Sequence, residues 1–203
     1  MSVSHYLLLV EEPSMEAFLR ALLPRLLPAT RTFEIFPFQG KADLLNRLGS
    51  RLRAYAIWLP ADWRIAVVVD RDDDDCRELK RVLERTAAGA GLISRSRAGK
   101  QRWQLVNRIA VEELEAWYFA DWQAVREAFP RVPATVAKAA SYRDPDSIRG
   151  GTWEAFERVL QRHGYYKSGL PKIDVARTLG GLIDPSRSRS RSFRALREAL
   201  GDE

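Results

Sequence analysis

Asp70 and Asp72 stand two residues apart at the end of a short apolar run, IAVVVDRDDDD over residues 65–75. Carboxylates this close repel one another, so the grouping is costly unless a cation sits among them or water bathes them. Two readings divide the cluster. Asp73, Asp74 and Asp75 suit a solvated helix start, where acids favour the positive end of the helix dipole. Asp70 and Asp72 suit ligands for a hard divalent cation, because a strand and the turn after it fix their place. Further acids follow other apolar runs: Glu11 follows YLLLV, and Glu112, Glu113 and Glu115 follow the segment 103–110.

Bringing such acids together requires strands that end on one edge. The unbroken apolar run 65–69 reads as a buried strand of a parallel sheet. Residues 6–10 and 32–38 read as two earlier strands, and 103–110 as a fourth. Between them lie helical stripes: Phe18, Leu19, Leu22, Leu23, Leu26 and Leu27 after Pro13-Ser14; Leu44, Leu45, Leu48 and Leu52 over 42–52; Leu79, Val82 and Leu83 over 78–88. A helix is expected over 111–120. Alternating strand and helix predicts an α/β fold with a mostly parallel sheet flanked by helices. In such sheets, ligand sites form at the carboxyl ends of the strands. After Asp121 strand signals vanish. Helices are expected over 122–129, 153–162, 171–182 and 193–200, with a loop-rich stretch at 131–151. This divides the chain into a sheet domain, 1–121, and a helical C-terminal part, 122–203, packed on it.

Composition narrows the chemistry. The formal charge is +6 despite 27 acidic residues, so a basic surface coexists with a concentrated acidic region and favours polyanions such as nucleic acid. Cys76 is the only cysteine, which excludes an internal disulfide and a thiolate zinc site; it is expected in a helix, facing the core. His5 and His163 are the only histidines, against a multi-histidine centre. No signal-peptide pattern or membrane-spanning run is present, and a cytoplasmic setting is expected. One oxygen-rich site for Mg²⁺ or Mn²⁺ accounts for the three acidic groups, and such a site suits phosphodiester chemistry.

The order of these motifs is similar to the Toprim domain, in which a Glu follows the first strand and a D-x-D follows a later one. More closely, VEEPSMEAFLRALLP at 10–24, VVVDRDDDDC at 67–76, RIAVEELEAWYFAD at 108–121 and YYKSGLPKIDVARTLGGLIDPSRSRSRSF at 165–193 resemble a bacterial Toprim-like family, domain of unknown function 4276. That family is related to the nucleases of overcoming-lysogenization-defect type. The resemblance implies a Toprim-like fold and a metal-dependent nuclease. It also implies an ABC-type or AAA-type ATPase partner and a setting in phage defence. By the same resemblance Glu11 matches the Toprim glutamate, a general acid or base that also supports the metal. Asp70 and Asp72 match the metal-ligand aspartates. Glu115 is the most family-like acid of its cluster, and Glu112, three residues before it, would share its helical face. The chain departs from the Toprim pattern at Glu12, where glycine is usual.

Other residues carry two readings each. Lys167 could meet a scissile phosphate and Lys172 a nucleic-acid backbone, or both could be surface lysines. Arg187, Arg189 and Arg191 lie in SRSRSRS, residues 186–192, which is either a solvated linker or a phosphate-contacting arm. Trp117, Tyr118 and Phe119 suit the core or base stacking. Ser14 is expected to cap the helix after it. No Walker motif is present, so any ATP hydrolysis belongs to a partner. The alternative to a nuclease of DNA or RNA is a non-catalytic module that binds an ATPase or nucleic acid through a degenerate acidic site.

Overall fold

The computed structural model describes residues 2–201. Four strands, β1 (His5–Val10), β2 (Thr32–Pro37), β3 (Trp63–Asp70) and β4 (Leu105–Ala110), form one parallel sheet in the order β2-β1-β3-β4. Three helices connect them: α1 (Pro13–Leu26), α2 (Lys41–Trp58) and α3 (Cys76–Gly89). The remainder is helical: α4 (Glu115–Ala120), α5 (Trp122–Ala128), α6 (Thr152–Arg162), α7 (Lys172–Leu182) and α8 (Arg191–Gly201), with short 3₁₀ turns between α5 and α6. This is the expected α/β architecture, and its layout is Toprim-like.

Why the strands read as unbroken apolar runs is clear from their two faces. Leu8, Val10, Ala66, Val68 and Val106 point into a core built with α1 and α4 to α8. Leu7, Leu9, Ile65, Val67 and Val69 point the other way, into a core with α2 and α3. A strand covered on both sides needs apolar residues at odd and even positions alike. The edge strand β2 instead alternates, and Glu34 on it is exposed.

The C-terminal helices close over the first face and share its core. The Tyr6 hydroxyl on β1 donates to the carbonyl of Leu200 in α8 (3.1 Å), and Arg25 of α1 donates to the carbonyls of Gly181 (2.6 Å) and Ile183 (3.1 Å) at the end of α7. Helices α1 and α7 meet at backbone level. A Cβ added to Gly180 would lie 2.3 Å from the Phe18 carbonyl oxygen.

Several elements differ from expectation. Helix α2 runs six residues past Leu52, to Trp58; of that extension only Tyr55 is buried, and Ile57 and Trp58 are exposed. The expected helix over 111–120 begins only at Glu115. Ser14 does not cap α1: it is the helix's second residue, buried, and its hydroxyl donates to the Glu12 carboxylate. Segment 186–192 is neither a solvated linker nor a projecting arm. Ser188 and Ser190 are buried, and the segment lies strapped across the body of the protein.

The close approach at Gly180 predicts opposite effects for neighbouring glycines. Gly180→Ala should cost roughly 1–3 kcal/mol through overpacking against Phe18. Gly181→Ala, with open space around its Cβ, should be neutral or stabilising by up to roughly 1 kcal/mol. Urea unfolding of the two variants beside the parent checks both.

Candidate acidic site

Strands β1 and β3 are neighbours in register, with Val10 opposite Val68. Glu11, the first residue beyond β1, therefore lies beside the end of β3. Its carboxylate accepts a hydrogen bond from the Asp70 backbone N–H (2.9 Å). Glu115 joins them as the first residue of α4. All three side chains are buried, at 8 % (Glu11), 6 % (Asp70) and 3 % (Glu115) residual exposure. Asp70 Oδ1 and the Tyr118 hydroxyl, both buried, have no hydrogen-bond partner among the described residues.

Charge is strongly disfavoured here. Burial, opposed by the Asp70 amide and Lys41 and assisted by Asp72 and Glu12, pushes Glu11 up to about 7. Burial also pushes Glu115 up to about 8, with Lys172 working the other way. Asp70 is raised well above the ordinary aspartate range, first by burial and then by Glu11, Glu115, Glu12 and Asp72. Tyr118 is raised by burial and by Glu115 and Asp70, so its hydroxyl stays protonated and faces the same acids.

Around this buried core stands a rim of ion pairs. Asp72, exposed and with a backbone φ of 49°, pairs with Lys41 (2.8 Å). The same ammonium binds Asp74 (2.8 Å) and donates to the Arg71 carbonyl (2.9 Å). Lys41 is put there by the backbone: the amide of Gly40 donates to the Glu11 carbonyl (2.9 Å), and Lys41 is the first residue of α2. Burial works against the lysine's charge, but Asp72 and Asp74 outweigh it and raise its pKa.

The structure brings some of the expected residues together and separates others. Glu11, Asp70 and Glu115 converge, and Asp72 lies at their rim. Glu112 does not share a helical face with Glu115, because it precedes α4; its carboxylate pairs with Arg71 instead. The Val111–Glu112 peptide bond is cis. Glu113 accepts from the Thr152 hydroxyl (3.0 Å) and the Trp153 N–H (2.8 Å), which fixes the start of α6. Asp75 is the helix cap of α3, accepting from the N–H groups of Arg77 (2.9 Å) and Glu78 (2.8 Å). Trp117, Tyr118 and Phe119 are core residues, each at most 1 % exposed.

Among the basic candidates, Lys172 begins α7, stands 4.2 Å over the Trp153 ring and acts on Glu115. Lys167 is exposed in the turn before α7. Arg187 is bound to buried Asp121 (3.0 Å), and Arg189 donates to the carbonyls of Phe119 (2.9 Å) and Arg143 (3.0 Å), so both serve the fold. Arg191 keeps an exposed side chain at the start of α8. Lys41 and Tyr118 had no motif to mark them as site residues; Lys41's place just after Gly40, beyond the end of β2, was the only available signal.

Among the described residues, no three Asp, Glu, His or Cys side chains form a ready-made metal-binding group. The bonds above account for this, since Glu11 is held by an amide, Asp72 by Lys41 and Glu112 by Arg71. The donor chemistry still fits a hard cation, through the unpartnered Asp70 Oδ1 and the raised pKa of each buried acid.

Comparison with known proteins gives one match. The family described as domain of unknown function (DUF4276) matches residues 10–201. The chain belongs to this family. No curated protein and no solved structure matches it. The DUF4276 match runs from the last residue of β1 through β2, β3 and β4, the acidic site and every C-terminal helix.

The raised carboxyls predict the pH dependence of the metal-free protein. Burial raises Glu11 to about 7 and Glu115 to about 8 in the fold, against an ordinary glutamate value of 4.5. The folded state therefore binds more protons than the unfolded state between those limits. Stability from this source is fully present below pH 4.5 and is lost as pH rises through 7 and 8. Unfolding free energy in EDTA should fall by roughly a few kcal/mol from mildly acidic to mildly alkaline pH. Glu115→Gln should flatten that slope in urea titrations.

Proposed function

We propose that this DUF4276 protein is a Mg²⁺- or Mn²⁺-dependent nuclease of the Toprim type that hydrolyses phosphodiester bonds, with DNA the expected substrate. One observation carries the reading: Glu11, Asp70 and Glu115 are buried together at the carboxyl edge of a parallel sheet, with one Asp70 oxygen unpartnered. An enclosed group of carboxylates that burial holds near neutrality is suited to a ligand that brings positive charge.

Asp70, Glu11 and Glu115 would hold the ion, with Asp72 added from the rim. When bound, the ion would supply electrostatic stabilisation of charge on phosphate oxygens and make water a better nucleophile near neutral pH. The chain's own groups do the rest. Glu11, oriented by the Asp70 amide, is placed to accept or return a proton at its carboxylate. Lys41 offers an ammonium at the rim to neutralise a substrate phosphate. The chain has no Walker loop, so an ATPase acting with it would be a separate protein, as the ATPase-linked, phage-defence setting of the resembled systems suggests.

A second reading has its own support. Lys41 already neutralises Asp72, and no three acids are grouped for a metal. On that basis the site is a structural remnant, and the protein is a non-catalytic module that binds nucleic acid or an ATPase.

Plasmid nicking with Mg²⁺ or Mn²⁺ separates the two. The parent should nick, and Asp70→Ala and Asp72→Ala should each lower the rate by at least about a hundredfold, as loss of a catalytic charge does. Equal rates in all three proteins would overturn the nuclease reading. Mn²⁺ should also raise the melting temperature of the parent but not of Asp70→Ala. Lys41→Met, which frees Asp72, should bind Mn²⁺ more tightly than the parent while nicking more slowly.

A further inference from the structure

Away from the acids, the outer edge of β4 forms one wall of a cleft of about 410 Å³ between α3 and α8. In a parallel strand the hydrogen-bonding groups of alternate residues face opposite sides. The carbonyls of Gln104 and Ala110 accept from Ile65 and Arg71, next to or within β3 (both 2.9 Å), so even-numbered residues face β3 and odd-numbered ones face out. Most of the outward groups have internal partners. Leu105 bonds to the Ile93 carbonyl (3.2 Å) and the Arg95 N–H (2.8 Å). The Asn107 carbonyl accepts from Lys80 (2.6 Å) and Arg108 (3.2 Å), and the Val111 N–H donates to the Ser192 hydroxyl (3.3 Å). Ile109, between them, lines the cleft, and its outward N–H and C=O have no partner among the described residues.

The walls around that open position are basic. Lys80 comes from α3, Arg108 from β4 itself and Arg191 from the start of α8. The Arg108 guanidinium bonds to carbonyls, those of Ala195 (2.9 Å) and Asn107 (3.2 Å), and to no carboxylate among the described residues. Lys80 is shared with Glu84 (3.2 Å), whose carboxylate is otherwise taken by Ser94, Ser96 (2.6 Å) and Asn107 (2.9 Å). Asp146, the cleft's own acid, is turned into the first turn of α8, accepting from the N–H groups of Arg191 (2.6 Å) and Ser192 (3.2 Å) and the Ser190 hydroxyl (2.6 Å). Cys76, Ile109, Val111 and Ala195 supply the apolar surface between these charges.

We propose that this cleft binds a short extended acidic segment of a partner protein, added as a strand along β4. An extended backbone satisfies both the N–H and the C=O of Ile109, whereas a free anion satisfies only the donor. Side chains of an added strand alternate between its two faces, which directs acidic ones toward Lys80 on one side and Arg108 and Arg191 on the other. An unpaired edge is otherwise an aggregation liability, and here it is confined to the Asn107 N–H and to Ile109, inside a charged cleft. The proposal stands apart from the metal chemistry.

Fluorescence anisotropy with labelled acetyl-Val-Glu-Glu-Glu-Val-amide, whose acids fall on both faces of an extended chain, tests it, with acetyl-Val-Lys-Lys-Lys-Val-amide as the control. The acidic peptide should bind at least about tenfold more tightly, and Arg191→Glu should weaken it about tenfold. Ile109→Pro removes the outward N–H, a change an edge strand tolerates, along with part of a side chain packed on the α2–α3 core, and should abolish binding while circular dichroism stays unchanged. Should that variant misfold, methylating the backbone nitrogen of the central Glu of the peptide blocks strand pairing without touching the protein, and binding should again be lost. Equal affinity for the two peptides would overturn the proposal. Undiminished binding of the N-methylated peptide would overturn it too, leaving simple anion attraction.

Discussion

The hydrogen bond from the Asp70 amide to the Glu11 carboxylate is the contact around which the rest of the site is arranged. It forms only because β1 and β3 are adjacent and in register, and it fixes one carboxylate over another in a place with little water. From then on the charge of every nearby group matters. Lys41 and Arg71 draw the outer acids Asp72, Asp74 and Glu112 away into ion pairs. Lys172 and a backbone hydrogen bond temper Glu115. The burial that makes these acids sensitive to protons is also what recommends them for the proposed cation, so both behaviours would share one physical cause.

Much of the sheet was legible because parallel strands covered on both faces leave an unmistakable apolar run. IAVVV and YLLLV are such runs, and each ends at an acid in the structure as the sequence suggests. The convergence of Glu11, Asp70 and Glu115 was likewise readable, since it needs only strand ends on a common edge. What sequence could not reveal is where each carboxylate turns. Glu112 and Glu113 lie within three residues of Glu115, yet one pairs with Arg71 and the other anchors α6. Helical periodicity misplaced them because the chain bends at 111–112 before α4 begins. Lys41 escaped notice because it reaches the site through a backbone bond between Gly40 and Glu11, which no spacing rule encodes.

The arginine-serine stretch teaches a related lesson. Its composition is that of a disordered basic tract, but its alternation is that of an extended chain with one side inward. Ser188 and Ser190 are small enough to be buried, Ser190 with its hydroxyl bonded to Asp146, while Arg187 and Arg189 reach back to Asp121 and to main-chain carbonyls. A tract that reads as repulsive becomes cohesive where two of its three arginines find internal acceptors.

The meeting of Phe18 with Gly180 has a mechanical side. Where two helices touch main chain to main chain, there is no layer of side chains to absorb a small displacement by changing rotamer. Helices α1 and α7 therefore move as one rigid bar. One end of that bar carries Glu11 and Glu12 just before Pro13, and the start of α7 carries Lys172, which acts on Glu115. The packing of α7 on α1 thus sets how far Lys172 stands from Glu115, and with it the balance of charge at the acids.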